Sequence, residues 1–120
     1  MNMMNQIIIE GNVASDAEMK QTVDGIYVTT VPVVHRRCSK NLKGENVEEE
    51  HFFDIEAYGE SFATRMIPYA TAGKGIRVVG RLMQERWKSD CGDHSRVYIM
   101  AEHVEFMPVP VNLKKTQEEK

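Results

Sequence analysis

The chain is poor in several things, and each shortage excludes something. It holds one tryptophan, Trp87, and two cysteines, Cys38 and Cys91. Two thiols cannot make a disulfide framework, so a reducing cytoplasm is the expected setting. No apolar run approaches the ~20 residues of a membrane-spanning helix, and no membrane partner is expected. The opening "MNMMNQIIIEGN" has neither the basic leader nor the long apolar stretch of a signal peptide. There is no excess of positive charge either: the net charge is -3. A nucleic-acid site would have to come from uneven placement of charge rather than from its total. The 120 residues allow one domain with one modest core, and no internal repeat divides them.

What is present is mostly β pattern. "NQIIIEGNV" alternates, with Ile7, Ile9, Gly11 and Val13 on one parity, as a half-buried strand does. "AEMKQT" is a short continuation, and "VDG" (23–25) a tight turn. "IYVTTVPVVHRR" is rich in β-branched residues, with Pro32 marking a bulge or an edge. "CSKNLKGENVEEE" reads as a long polar hairpin loop, and "HFFDIEAY" as the next strand. "GESFATRMIPYATAGKG" breaks the alternation. Phe62, Met66 and Ile67 have helical spacing, Pro68 limits the helix, and Gly73 and Gly75 end the segment. "IRVVGRLMQERW" is a strand, "KSDCGDHS" a turn, and "RVYIMAEHVEFM" a last strand. Three strands, one helix and two strands make an all-β, five-stranded OB-fold barrel, with the helix between the third and fourth strands. The domain is expected to occupy 1–107, and 108–120 to be a short polar C-terminal tail.

Strand parity assigns faces. Ile76, Val78, Gly80 and Leu82 are expected inside, and Arg77, Val79, Arg81, Met83, Glu85 and Trp87 outside. Phe53, Ile55 and Ala57 are expected inside, and Phe52, Asp54, Glu56 and Tyr58 outside. Three aromatics, Phe52, Tyr58 and Trp87, then share the outer faces of neighbouring strands. Such a surface suits a protein interface or a stacking platform for unpaired bases. Charge favours the second. His35, Arg36, Arg37, Lys40 and Lys43 cluster without an acid among them, and Lys74, Arg77, Arg81, Arg86 and Lys88 run along the fourth strand. Cations interleaved with rings suit a phosphodiester backbone with splayed bases.

Taken together, "NQIIIEGNV", Phe52 and Tyr58 before Gly59, "GKGIRVVGRL" and "ERW" resemble the bacterial-type single-stranded DNA-binding protein family over residues 5–107. The resemblance implies an OB-fold homotetramer, or a dimer, that wraps single-stranded DNA without sequence preference. Its service would be in replication, recombination and repair. It implies base stacking on Trp87, on Phe52 where the family commonly has tryptophan, and on Tyr58 where it commonly has phenylalanine. Arg36, Arg37, Lys40, Lys43, Arg77, Arg81, Arg86 and Lys88 would neutralise phosphates. Cys38 stands where the family has a further stacking tryptophan, and Phe53 where a histidine at a subunit contact is common. Asp54 and Glu56 put acids beside the rings, where they are expected to repel phosphates. The family's acidic tip, which recruits replication and repair proteins, has no counterpart in "KKTQEEK". The first strand's edge is expected to pair with its twin in the oligomer.

Other readings stand beside this one. An OB-fold protein-interaction module, such as a primosome-type accessory protein, would use the same aromatic face. His35, Cys38, Cys91 and His94 form two mirrored spacings that would complete a zinc site if their loops met. His35 with Cys38 lacks an orienting group or oxyanion donor, so no catalysis is expected. "AGKG" lacks the rest of a phosphate loop. No cofactor is expected.

Overall fold

The structure is a computed structural model and describes residues 1–107. The expectation of a polar tail at 108–120 lies outside the described residues. The elements run β1 (Ile7–Val13), β2 (Glu18–Gln21), β3 (Tyr27–Lys40), β4 (Asn46–Tyr58), α1 (Glu60–Met66), β5 (Gly75–Ser89) and β6 (Gly92–Met107). The sheet order is β1-β5-β6-β4-β3-β2, and a further β1–β3 pairing closes five strands into a barrel. This is the OB-fold layout that the order of elements implies. The "AEMKQT" segment contains β2, a short strand that pairs with β3 outside the closed barrel.

Closure needs β1 to serve two partners. It pairs with β5 through Ile7–Asn12 and reaches β3 only at Asn12 and Val13. The crossing is tight: a Cβ at Gly11 would lie 2.3 Å from the Val34 carbonyl oxygen. Only glycine fits such an approach. Gly80 is similar, since a Cβ there would lie 2.1 Å from the Met100 carbonyl oxygen. It adjoins a register shift, where Val79 faces His103 but Gly80 faces Ala101, leaving Glu102 as the extra residue of a bulge. Pro32 lies where β3 passes from β2 to β1, and its carbonyl accepts the Ala14 N–H. A residue without an N–H is tolerated at such a handover.

The core is built from the predicted inward parity of β4 (Ile55, Ala57) and β5 (Ile76, Val78), to which β3 adds Val31 and Val33. The α1 residue Met66 and the following Ala70 close one end. Pro68 stands just past α1, as its missing N–H requires.

Two expectations are corrected by strand length. β3 runs to Lys40 and β4 starts at Asn46, so the long polar loop is a five-residue turn at 41–45. Similarly, β5 and β6 are separated only by Asp90 and Cys91. β6 has 16 residues and β1 only 7. Two hairpins therefore project beyond the part of the barrel that β1 closes. Leu82 and Phe53 keep the inward parity and stand opposite the core residues Ile99 and Val33, but they line an open apolar hollow beside β1 and are 47% and 37% exposed. Among the described residues, no helix is long and apolar enough to cross a membrane.

Candidate nucleic-acid interface

Residues directly opposite in antiparallel strands share a face. Tyr58, Glu56, Asp54, Phe52 and Glu50 of β4 face the same way as Val28, Thr30, Pro32, Val34 and Arg36 of β3. Phe52 is 69% exposed on this face and Tyr58 is 37% exposed. On the other hairpin, Trp87, Glu85, Met83 and Arg81 of β5 stand opposite His94, Arg96, Tyr98 and Met100 of β6. Trp87 is 46% exposed and stacks on His94, ring centres 5.5 Å apart and planes at 23°. The imidazole supports one side of the indole.

The two hairpin faces form one surface because their side chains join. The Tyr58 and Tyr98 hydroxyls lie 3.5 Å apart, and Arg96 of β6 is ion-paired with Glu56 of β4. Arg96 Nε also donates to Glu85 at 3.2 Å, and its guanidinium carbon sits 4.5 Å from the centre of the Tyr98 ring. Tyr98 beneath it is buried. The rings of Phe52, Tyr58 and Trp87 thus belong to one outer face, joined at its middle by Arg96.

This corrects the expectation for Glu56. It has the outward parity, yet it is buried, and Arg96 neutralises it. Its charge is matched within the protein instead of facing incoming phosphates. Asp54 remains exposed beside Phe52. The Tyr58 hydroxyl also donates to Glu56 at 3.4 Å. Its pKa is pushed up to about 12, chiefly by the hydrogen bond to Tyr98, then by burial and by the charges of Tyr98 and Glu85. Arg96 and Tyr98 were absent from the predicted site. The signal for them was available, because parity carried through "HSRVYIM" puts both on Trp87's face.

The predicted cations divide into groups. Arg36 lies on the Phe52 face, 3.7 Å from Glu50 across the hairpin. Lys40 has the same parity and is exposed opposite Asn46, and Cys38 lies between them opposite Glu48. Arg81 has the parity of Trp87 and points a guanidinium N–H at Met100 Sδ, 3.3 Å away. Lys43 is in the 41–45 turn, where Asn41 Oδ1 accepts its backbone N–H. Arg37, opposite Glu49, is on the reverse face of the β3–β4 hairpin. Arg86 and Lys88 are on the reverse face of the β5–β6 hairpin from Trp87, with Lys88 opposite Asp93. Arg77 is engaged elsewhere. It donates to Glu10 from two nitrogens, at 2.6 and 2.9 Å, and lies 3.5 Å from Glu105. The hydrogen bonds and charge of Glu10 raise its pKa.

His35, Cys38, Cys91 and His94 are not brought together. His35 Nδ1 lies 2.8 Å from the Glu10 carbonyl oxygen, while His94 stacks on Trp87 near the β5–β6 turn. Among the described residues, no group of three His, Cys, Asp or Glu side chains is placed to hold a metal ion.

A family model described as "Single-strand binding protein family" matches residues 4–107. A "Single-stranded DNA-binding protein" of Aquifex aeolicus is 35% identical over 120 residues, covering 98% of this chain and 79% of that protein. One of the same description from Helicobacter hepaticus is 32% identical and covers 88% of this chain and 62% of that protein. Among solved structures, "Plasmodium falciparum SSB complex with ssDNA" superposes with a TM-score of 0.82 at 17% identity, over 90% of this chain and 98% of that one. A deletion mutant of the single-stranded DNA binding protein from Thermus aquaticus gives 0.78 at 21% identity, over 88% of this chain and 51% of that one.

Proposed function

The chain belongs to the single-strand binding protein family, and we propose that it binds single-stranded DNA without sequence preference, protecting unpaired strands during replication, recombination or repair. The observation that carries this reading is the joined outer face that presents Phe52, Tyr58 and Trp87 together. Bases stack on these rings whatever their identity, because every base has a π-face. Arg36, Lys40 and Arg81 meet phosphates beside the rings. Lys43, Arg37, Arg86 and Lys88, at the hairpin tips and reverse faces, take the strand as it leaves. Arg77, with two carboxylate partners, contributes least. In this reading the protein catalyses no reaction, needs no cofactor, and works in the cytoplasm at the nucleoid.

The same reading makes the chain an oligomer. Beyond Asn12 and Val13, the side of β1 away from β5 has no strand partner among the described residues. Beside it lies an apolar hollow lined by Ile8, Phe53, Leu82 and Ile99. Ile8 is 67% exposed. An open strand edge next to exposed apolar side chains favours pairing with a second copy.

The test uses the single indole. Oligo-dT is expected to quench Trp87 emission, and added salt to restore it as cations return to the phosphates. Duplex DNA of equal length gives little quenching. Absence of quenching or binding at low salt overturns the reading and favours a protein-binding role for the face. Light scattering on the wild type and on Ile8→Glu tests the oligomer, with a smaller mass expected for the variant.

A further inference from the structure

Arg96 is held in an arrangement that a phosphate ligand would not need. Its Nε donates to Glu85 and a terminal nitrogen bonds Glu56, so two carboxylates already match its charge. Those N–H bonds lie in the guanidinium plane and take two of its five donors. One face of the group lies over Tyr98. The side chain is still 35% exposed. The group therefore offers a ligand one flat face and part of its edge, with its charge matched by two carboxylates.

We propose, on the basis of the DNA-binding reading above, that Arg96 is a base-stacking residue. A nucleobase lies on the outer face of the guanidinium, and Tyr98 backs the inner face. Arginine planes stack on aromatic rings and on bases alike. Arg96 stands in the middle of the face, between Tyr58 and the Trp87–His94 pair. There it extends the row of rings on a face where position 38 carries a thiol. Glu56 and Glu85 are the positioning residues: they hold the plane against Tyr98 and balance its charge. The proposal separates stacking from charge, because lysine keeps the cation but has no plane.

The experiment compares oligo-dT with an abasic deoxyribose-phosphate strand of equal length, for wild type and Arg96→Lys, over a range of salt. The ratio of the two affinities reads base contacts alone. Arg96→Lys is expected to lower that ratio about five- to tenfold, near the smaller end of one stacking contact. The salt slope on oligo-dT should stay unchanged, because no phosphate contact is lost. An unchanged ratio, or a ratio unchanged with a shallower slope, overturns the proposal and makes Arg96 structural or a phosphate ligand. Should Arg96→Lys not fold, the double variant Glu56→Gln with Arg96→Met, which leaves no buried charge unmatched, carries the same expected fall in the ratio. Failure of the wild type to bind either strand would instead remove the DNA-binding reading itself.

Discussion

Replacing Trp87 by alanine removes a ring that has one supported side and one open side. His94 covers the first, at a 5.5 Å ring separation, and the second accounts for the 46% exposure. One base stacked on the open side contributes about 1–3 kcal/mol. The dissociation constant for oligo-dT should therefore rise by about 5- to 150-fold. Folding should barely notice, because the ring is at a hairpin tip outside the core, and such surface changes stay within about 0.5 kcal/mol. Affinity and melting temperature are thus expected to part company. The measurement is fluorescence anisotropy of labelled oligo-dT at several salt concentrations, with thermal unfolding alongside. The slope of log K against log salt should be the same in both proteins, since no cation is removed. Trp87→Phe should recover most of the affinity. Equal affinity for wild type and Trp87→Ala would refute stacking on this ring. A loss that merely tracks a lower melting temperature would refute it as well.

Cations can be sorted by salt dependence. Lys40→Ala should make the slope on single strands shallower by about 0.7, whereas Arg77→Ala, already paired with Glu10 and Glu105, should leave it unchanged. Thr29 is fully buried and its hydroxyl has no hydrogen-bond partner. Thr29→Val should stabilise the fold by about 1 kcal/mol, read as a melting temperature about 4–8 °C higher. Gly80→Ala drives a Cβ against the Met100 carbonyl and should cost about 1–3 kcal/mol by denaturant titration. Tyr58 has a folded-state pKa of about 12, against a usual 10.0. Its contribution to stability is therefore complete below pH ~10 and is lost as pH climbs through about 12. Alkaline titration of phenolate absorbance should show a late tyrosine that is missing in Tyr58→Phe.

The helix near residues 60–66 and all five barrel strands were legible from alternation and its one interruption. The exposure of Phe52, Tyr58 and Trp87 was legible too, since each lies on the parity opposite to a β-branched or aliphatic series. Hairpin length was not. The polar composition of "CSKNLKGENVEEE" and "KSDCGDHS" resembles loop, but arginine, glutamate and serine can continue a two-stranded ribbon whose faces both meet water. Nothing local distinguishes a polar ribbon from a polar loop. The exposure of Leu82 and Phe53 has another cause, since both line the open apolar hollow beside β1.

By itself the sequence determined which side of its strand each residue takes, because a strand's side chains alternate with a period of two whatever lies around them. It also determined where strands yield to helix. Only the tertiary structure decided which of those sides meets a core and which charges meet each other. Burial requires a second layer at that height of the barrel, and the short β1 limits where there is one. The pairing of Glu56 with Arg96 joins residues 40 positions apart through the β4–β6 contact. No pattern along the chain records that contact, and it turned an acid expected to face phosphates into the anchor of the aromatic face.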